Sequence, residues 1–165
     1  MNQILKARTG PFESLNFQAF QDKDFKPSIL DALEKGKEEI QKIKDLPASF
    51  ENTIMGLERA TEDLEFTYGV FGNLNHADSN EVRQGLAMEM APLLSQFSDD
   101  LLLDDGVFSK VKEVFENIIE IIARVYKKKN IKWVGFNDNW TIEFFSLIAR
   151  LFPEAKFIIH LRDPR

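Results

Sequence analysis

The chain has 165 residues, of which 44% are hydrophobic and 29% charged, a composition typical of a globular protein with a sizeable core. It contains no cysteine, which excludes disulfides, thiolate metal sites and cysteine nucleophiles, and which fits a cytoplasmic location. The net charge of −6 speaks against nucleic acid binding, and the first thirty residues lack the apolar run of a signal peptide or membrane anchor.

Two helices are predicted after an irregular first segment of about 24 residues. Pro27 suits the first turn of the first helix, because the N–H that proline lacks is not needed there. Apolar residues then recur near helical spacing until Pro47, which ends the helix. Ser49 can cap the second helix, with Glu51 near the positive end of its dipole.

A turn and two more helices follow. The polar stretch Asn73–Asn80 predicts a turn, and Asp78 with Glu81 has the form of a capping box for the third helix. The fourth helix is predicted from about Val107 towards Lys128, because its apolar residues recur with the period of an amphipathic helix.

The pattern then changes to short apolar runs. Ile131–Phe136 and Lys156–Leu161 predict two strands, and Asn139 can cap the helix between them. The predicted fold class is therefore mainly α, with a four-helix amino-terminal part followed by a single βαβ unit of two short parallel strands. Two such strands form only one ladder, so their edges need partners from a longer parent protein or another chain.

Charge divides the chain at about the same place. Residues 117–165 contain nine basic and five acidic residues, whereas residues 1–116 contain twelve basic and twenty-two acidic ones. The asymmetry indicates either separate histories for the two parts or only differently charged faces. We predict a helical domain over residues 1–116 and a βαβ piece over residues 117–165.

The sequence contains one local motif that favours ligand binding, Arg162-Asp163-Pro164-Arg165, directly after the second predicted strand. Ligands gather at the carboxyl ends of strands in open α/β sheets, and the Arg162 guanidinium could hold a phosphate there. A polar turn explains the same residues without a ligand. Elsewhere the sequence has only two histidines, no helical zinc motif and no phosphate loop, so no catalytic or metal-binding residues are predicted.

Several separated blocks resemble the amino-terminal region of M3 metallopeptidases, the group of oligopeptidase A, dipeptidyl carboxypeptidase and thimet oligopeptidase. These blocks are Phe50–Ile54, Val70–Asn75, Ala91–Leu94 and Ser98–Asp100 within residues 10–116. The resemblance implies a helical region that helps to wall a channel admitting only short peptides. The family's zinc-binding His-Glu-x-x-His helix has no counterpart among these 165 residues.

The stretch Trp133–Arg165, above all Leu151–Arg165, resembles sulfotransferases that use phosphoadenosine phosphosulfate (PAPS). The resemblance implies that Arg162 descends from a ligand of the donor's 3′-phosphate. It also implies that PAPS or its product PAP could be bound if this part works. The serine that completes that site and the family's amino-terminal phosphosulfate loop have no counterpart here.

Together these observations predict a chimeric or truncated chain without catalytic activity of its own. Its partners would be short peptides or a complementing protein chain, and no cofactor is expected. Two alternatives remain open: a sulfotransferase fragment that binds nucleotide through Arg162, and a zinc oligopeptidase fragment that needs a separate catalytic domain.

Overall fold

The computed structural model describes residues 2–125, 149–150, 153–154 and 156. The helices in chain order are α1 (Gln3–Lys6), α2 (Asp22–Asp45), α3 (Met55–Ala77), α4 (Glu81–Leu103) and α5 (Asp105–Val125). The connections contain two 3-10 turns, Pro11–Glu13 and Phe17–Ala19, and one π-helical turn, Phe50–Ile54. Among the described helices, none combines the length and hydrophobicity that a bilayer span requires.

The chain divides into two compact units, residues 1–114 and 115–165, and the boundary falls inside α5. The first unit contains α1 to α4 and the first half of α5. In the second unit the described residues are the rest of α5 and a few positions after it. The predicted domains, residues 1–116 and 117–165, stay a prediction from charge and resemblance.

Helix α2 begins at Asp22, earlier than the predicted start at Pro27. The backbone N–H of Gln21 donates to the Asp24 carboxylate at 2.8 Å, which holds the start of the helix. Asp22 and Asp24 also place negative charge in the first turn, where the helix dipole favours it. These contacts outweigh the loss of one backbone hydrogen bond at Pro27, which lies inside the helix.

The predicted caps of the next two helices have different outcomes. Ser49 is confirmed, because its Oγ accepts a hydrogen bond from the N–H of Asn52 at 3.0 Å and begins the π-helical turn before α3. The prediction that Asp78 caps the next helix is wrong, because α3 continues to Ala77 and Asn80 is the cap of α4. The Oδ1 of Asn80 accepts a hydrogen bond from the N–H of Arg83 at 2.8 Å. The turn is therefore much shorter than predicted.

The core of the first unit lies mainly between α2 and α3, and α4 adds a third wall. Phe25 and Phe71 are almost fully buried at its centre, with ring centroids 5.3 Å apart in an edge-to-face arrangement. Phe20 also packs edge-to-face against Phe25, with centroids 5.5 Å apart. Aromatic pairs of this geometry add stabilisation beyond the area that they bury.

The predicted βαβ unit needs correction. The described residues contain no strand, and their one β-type pairing is an isolated bridge between Arg8 and Leu15. Lys156, which was predicted to begin the second strand, lies in no strand. Ala149 and Arg150 are helical, as expected for the helix that was predicted after Asn139. The rest of the predicted unit lies outside the described residues. The mainly α part of the predicted fold class holds for the described residues. The strands had been predicted from short apolar runs, and periodicity alone does not tell such a strand from a buried helix.

Candidate functional site

A groove of about 240 Å³ lies between α2 and the carboxyl end of α4. Four residues line the groove on each side. On both sides they have the spacing i, i+3, i+4, i+7, so they lie on one face of their helix. The lining residues are Lys37, Ile40, Gln41 and Lys44 from α2, and Phe97, Asp100, Leu101 and Asp104 from α4 and its C-cap. The helical repeat alone thus places these side chains along two facing rows.

The groove has an apolar floor and charged rims. Ile40 and Phe97 are buried and Leu101 is half-buried, so they form the floor. Lys37 on one rim and Asp100 on the other are exposed. Because ligand pockets for small molecules usually measure about 300–1,000 Å³, this groove suits one side chain or a short peptide segment.

An ion pair closes one end of the groove. Lys44 Nζ lies 2.8 Å from Asp104 Oδ2, and both side chains are about a quarter exposed. Oδ1 of Asp104 accepts the backbone N–H of Val107 at 2.9 Å, so the same carboxylate caps α5. The hydrogen bond from Lys44, followed by that from Val107, lowers the pKa of Asp104 below its ordinary value. The carboxylate therefore stays ionised near neutral pH and acts as a structural anion.

Close packing fixes the position of this ion pair. A Cβ atom at Gly106 would lie 2.7 Å from Cδ of Lys44, so the first turn of α5 leaves just enough room for the lysine stem. Lys110 of α5 also donates a hydrogen bond to the carbonyl of Leu46, which follows α2. The first half of α5 is thus held against the end of α2 by two lysines.

The described residues contain no group of three or more His, Cys, Asp or Glu side chains that could hold a metal ion. His76, one of the two histidines of the sequence, is exposed in the last turn of α3. Within the described chain, the groove offers charged and apolar contacts suited to binding.

Arg162, the residue predicted to bind a nucleotide phosphate, lies outside the described residues, as does His160. The nucleotide site therefore stays a prediction from the sequence. The groove, in contrast, was missed by sequence reasoning. Its signal was the helical spacing of Lys37, Ile40 and Lys44, which predicts that an apolar residue lies on one helical face between two lysines.

Two curated proteins are similar to the chain. The dipeptidyl carboxypeptidase of Salmonella typhimurium (strain LT2) is 26% identical over 117 residues, which is 70% of this chain and 17% of that protein. The dipeptidyl carboxypeptidase of Escherichia coli K12 is 26% identical over 118 residues, with the same two shares. No family model matches the sequence, and no solved structure matches it significantly.

The chain is distantly similar to M3-type peptidases. It spans about a sixth of the length of the curated relatives that it matches. This similarity supports the resemblance stated for the amino-terminal part, whose blocks all lie within the first unit. The comparisons give no support to the resemblance of residues 117–165 to sulfotransferases, or to a chimeric origin of the chain.

Proposed function

We propose that residues 1–114 form a non-catalytic helical module of an M3-type oligopeptidase. The module docks on a zinc-binding catalytic portion and forms part of the wall that faces short peptides. The observation that carries this proposal is the similarity to two dipeptidyl carboxypeptidases over 70% of the chain. The catalytic chemistry would come from outside these 165 residues, whose two histidines do not form a His-Glu-x-x-His motif.

The groove between α2 and α4 supports the peptide-facing role. Its apolar floor suits an apolar side chain of a peptide, and its rims carry opposite charges that suit the polar backbone and charged ends of the peptide. Lys37 makes no ion pair within the part of the chain that the structure describes, so its ammonium group is available to a carboxylate. Exposed charges of this kind contribute modestly to affinity and more to orientation.

The docking role is tested with Escherichia coli dipeptidyl carboxypeptidase from which the segment matching this chain has been deleted. The full 165-residue chain is immobilised, and binding of the truncated peptidase is measured by biolayer interferometry. We expect saturable binding in about the micromolar range. A serum albumin channel serves as the control for nonspecific adsorption, and binding no stronger than to albumin contradicts the docking role.

The peptide-facing role has a separate test that needs no partner. Short peptides are titrated into the full chain by isothermal calorimetry, and the Lys37→Glu variant is compared with Lys23→Glu, an exposed lysine of α2 outside the groove. We expect weak binding that Lys37→Glu reduces and Lys23→Glu leaves unchanged. Equal binding by all three chains, or no heat for the parent chain, contradicts a peptide site in the groove.

A further inference from the structure

The groove between α2 and α4 presents two charges of opposite sign that nothing in the described part of the chain neutralises. Lys37 on the α2 rim and Asp100 on the α4 rim are both exposed, and they pair neither with each other nor with another described residue. The other two charged residues of the lining, Lys44 and Asp104, neutralise each other at 2.8 Å. The groove therefore has one open cation and one open anion on facing rims.

A neighbouring amide holds the Asp100 carboxylate in place. Nε2 of Gln96, one turn earlier in α4, donates to Oδ1 of Asp100 at 2.6 Å. The other oxygen, Oδ2, is not used in this hydrogen bond and can accept one from an ammonium group. A carboxylate whose side chain is already restrained also loses less conformational freedom when a ligand binds.

The apolar floor lies next to both charges. Ile40 follows Lys37 by three residues in α2, and Phe97 precedes Asp100 by three residues in α4, so each buried side chain shares a helical face with one charge. An aliphatic side chain of a ligand can contact Ile40 and Phe97 while the charged groups of the same ligand reach the rims. The groove thus matches a molecule with an apolar body and two ends of opposite charge.

The dimensions of the groove limit the length of that molecule. Its volume of about 240 Å³ lies below the usual range for small-molecule sites. Packed helices have axes about 8–10 Å apart, and two residues of extended chain span about 7 Å. In a longer peptide the charged ends lie too far apart to reach both rims at once.

We propose that the groove binds free peptides of about two residues as zwitterions. Lys37 pairs with the terminal carboxylate, Asp100 pairs with the terminal ammonium group, and an aliphatic side chain lies on the floor. This inference rests on the proposed function, because it names the class of peptide that the groove of the module takes. Since both ends are recognised, the groove distinguishes a free dipeptide from the same two residues within a longer chain.

The test measures the affinity of the full chain for the dipeptide Ala-Leu by ligand-detected nuclear magnetic resonance, a method that suits weak binding. Acetyl-Ala-Leu lacks the ammonium group, and Ala-Leu-amide lacks the carboxylate. We expect each blocked peptide to bind about two- to fivefold more weakly than Ala-Leu, the range for exposed ion pairs. Ala-Asn, whose second side chain has a similar shape but is polar, should also bind more weakly, because the floor is apolar.

Two variants assign each end of the peptide to its rim. In Lys37→Gln, Ala-Leu-amide should bind as tightly as Ala-Leu, while acetylation still weakens binding. In Asp100→Asn, acetylation should make no difference, while amidation still weakens binding. Lys23→Gln and Asp99→Asn change exposed residues of the same two helices outside the lining, and these matched controls should keep both differences.

The outcomes separate this inference from the proposed function. If neither Ala-Leu nor the peptide Ala-Ala-Leu-Ala-Ala binds, the peptide-facing role fails and the inference falls with it. If the longer peptide binds at least as tightly as Ala-Leu, the groove takes peptides but does not select short zwitterions, and the inference is wrong. Blocked peptides that bind the parent chain as tightly as Ala-Leu would also overturn it, as would variants at Lys37 and Asp100 that behave like the controls.

Discussion

The side chain of Asn2 donates a hydrogen bond from Nδ2 to the Oγ1 of Thr67, 2.8 Å away and 65 positions along the chain. The same Nδ2 also donates to the carbonyl of Ser28 at 3.2 Å, and Oδ1 accepts the N–H groups of Ile4 and Leu5. Asn2, Ser28 and Thr67 are all buried. One amide therefore caps α1 and ties it to both α2 and α3.

Thr67→Val removes the hydroxyl and keeps the shape of the side chain. The buried amide of Asn2 then lacks one partner, and we expect the free energy of unfolding to fall by about 1–3 kcal/mol. The measurement is urea unfolding followed by circular dichroism. Thr61→Val, on an exposed part of the same helix where Oγ1 donates to Glu65, is the control. If the free energy of unfolding falls no more for Thr67→Val than for Thr61→Val, the hydrogen bond between Asn2 and Thr67 does not contribute to stability.

Gly36 marks the closest approach of α2 to its neighbours. A Cβ atom there would lie 2.9 Å from the carbonyl oxygen of Ala60 and 3.3 Å from Cζ of Phe97. We expect Gly36→Ala to destabilise the chain by about 1–3 kcal/mol, despite the higher helix propensity of alanine. Gly69→Ala, in α3 where nothing lies within 4 Å of the added atom, should instead stabilise it by up to about 1 kcal/mol. Thermal unfolding of both variants is the measurement: the melting temperature should fall for Gly36→Ala and rise for Gly69→Ala.

Phe25 is fully buried between Phe20 and Phe71. We expect Phe25→Ala to lower the free energy of unfolding by about 3–5 kcal/mol, because it leaves a cavity and removes two aromatic contacts. Phe50→Ala, at a site that is 56% exposed, should change it by less than about 0.5 kcal/mol. Guanidinium unfolding of the two variants provides the comparison. Similar losses at both positions would mean that the core does not centre on Phe25.

Acid should weaken the contact between α2 and α4 through Asp22. Burial acts to raise the pKa of this carboxyl, but hydrogen bonds from Asn80 and Arg83, each 2.8 Å long, outweigh burial and lower the pKa below its ordinary value of 3.8. A carboxyl whose pKa is lower in the folded state stabilises the fold above the unfolded pKa. That contribution is lost as the pH falls through the folded pKa, which places the loss below about pH 4.

The matching experiment compares Asp22→Asn with the parent chain in urea at pH 7 and at about pH 3. At pH 7 we expect the variant to be less stable by about 1 kcal/mol, because the ion pair with Arg83 is partly exposed. The difference should shrink in acid. Glu62→Gln, an exposed acid of α3, controls for the change of net charge. If the difference in stability between Asp22→Asn and the parent chain instead grows in acid, the pKa of Asp22 is not lowered in the folded state.

Local sequence patterns predicted much of the helical unit. The apolar spacing indicates four long helices, and Ser49 begins the turn before α3 as expected. Where two neighbouring residues could each cap or begin a helix, the sequence pattern did not show which of them does so. Asp78 and Asn80 are both good caps, and α3 continues until only Asn80 can serve. Similarly, Pro27 fits a first helical turn, yet the acidic residues before it start the helix earlier.

The features that escaped prediction depend on contacts between distant segments. The groove exists because the faces of α2 and α4 that carry Ile40 and Phe97 meet at a particular distance, which periodicity does not encode. Phe12 has a left-handed backbone with φ 56°, which its residue type does not predict. The βαβ unit was predicted from short apolar runs, which do not by themselves distinguish a strand from a buried helix, and the part of the chain that the structure describes contains no strand.

The capping of α5 by Asp104 makes one backbone amide a spectroscopic reporter. The N–H of Val107 donates to the same carboxylate that Lys44 holds at the end of the groove. A peptide carboxylate that draws Lys44 away would shift the Val107 resonance in a nitrogen–proton correlation spectrum, while amides in the middle of α3 stay in place. A single cross-peak therefore reports occupancy of the groove even when the affinity is too weak for calorimetry to detect.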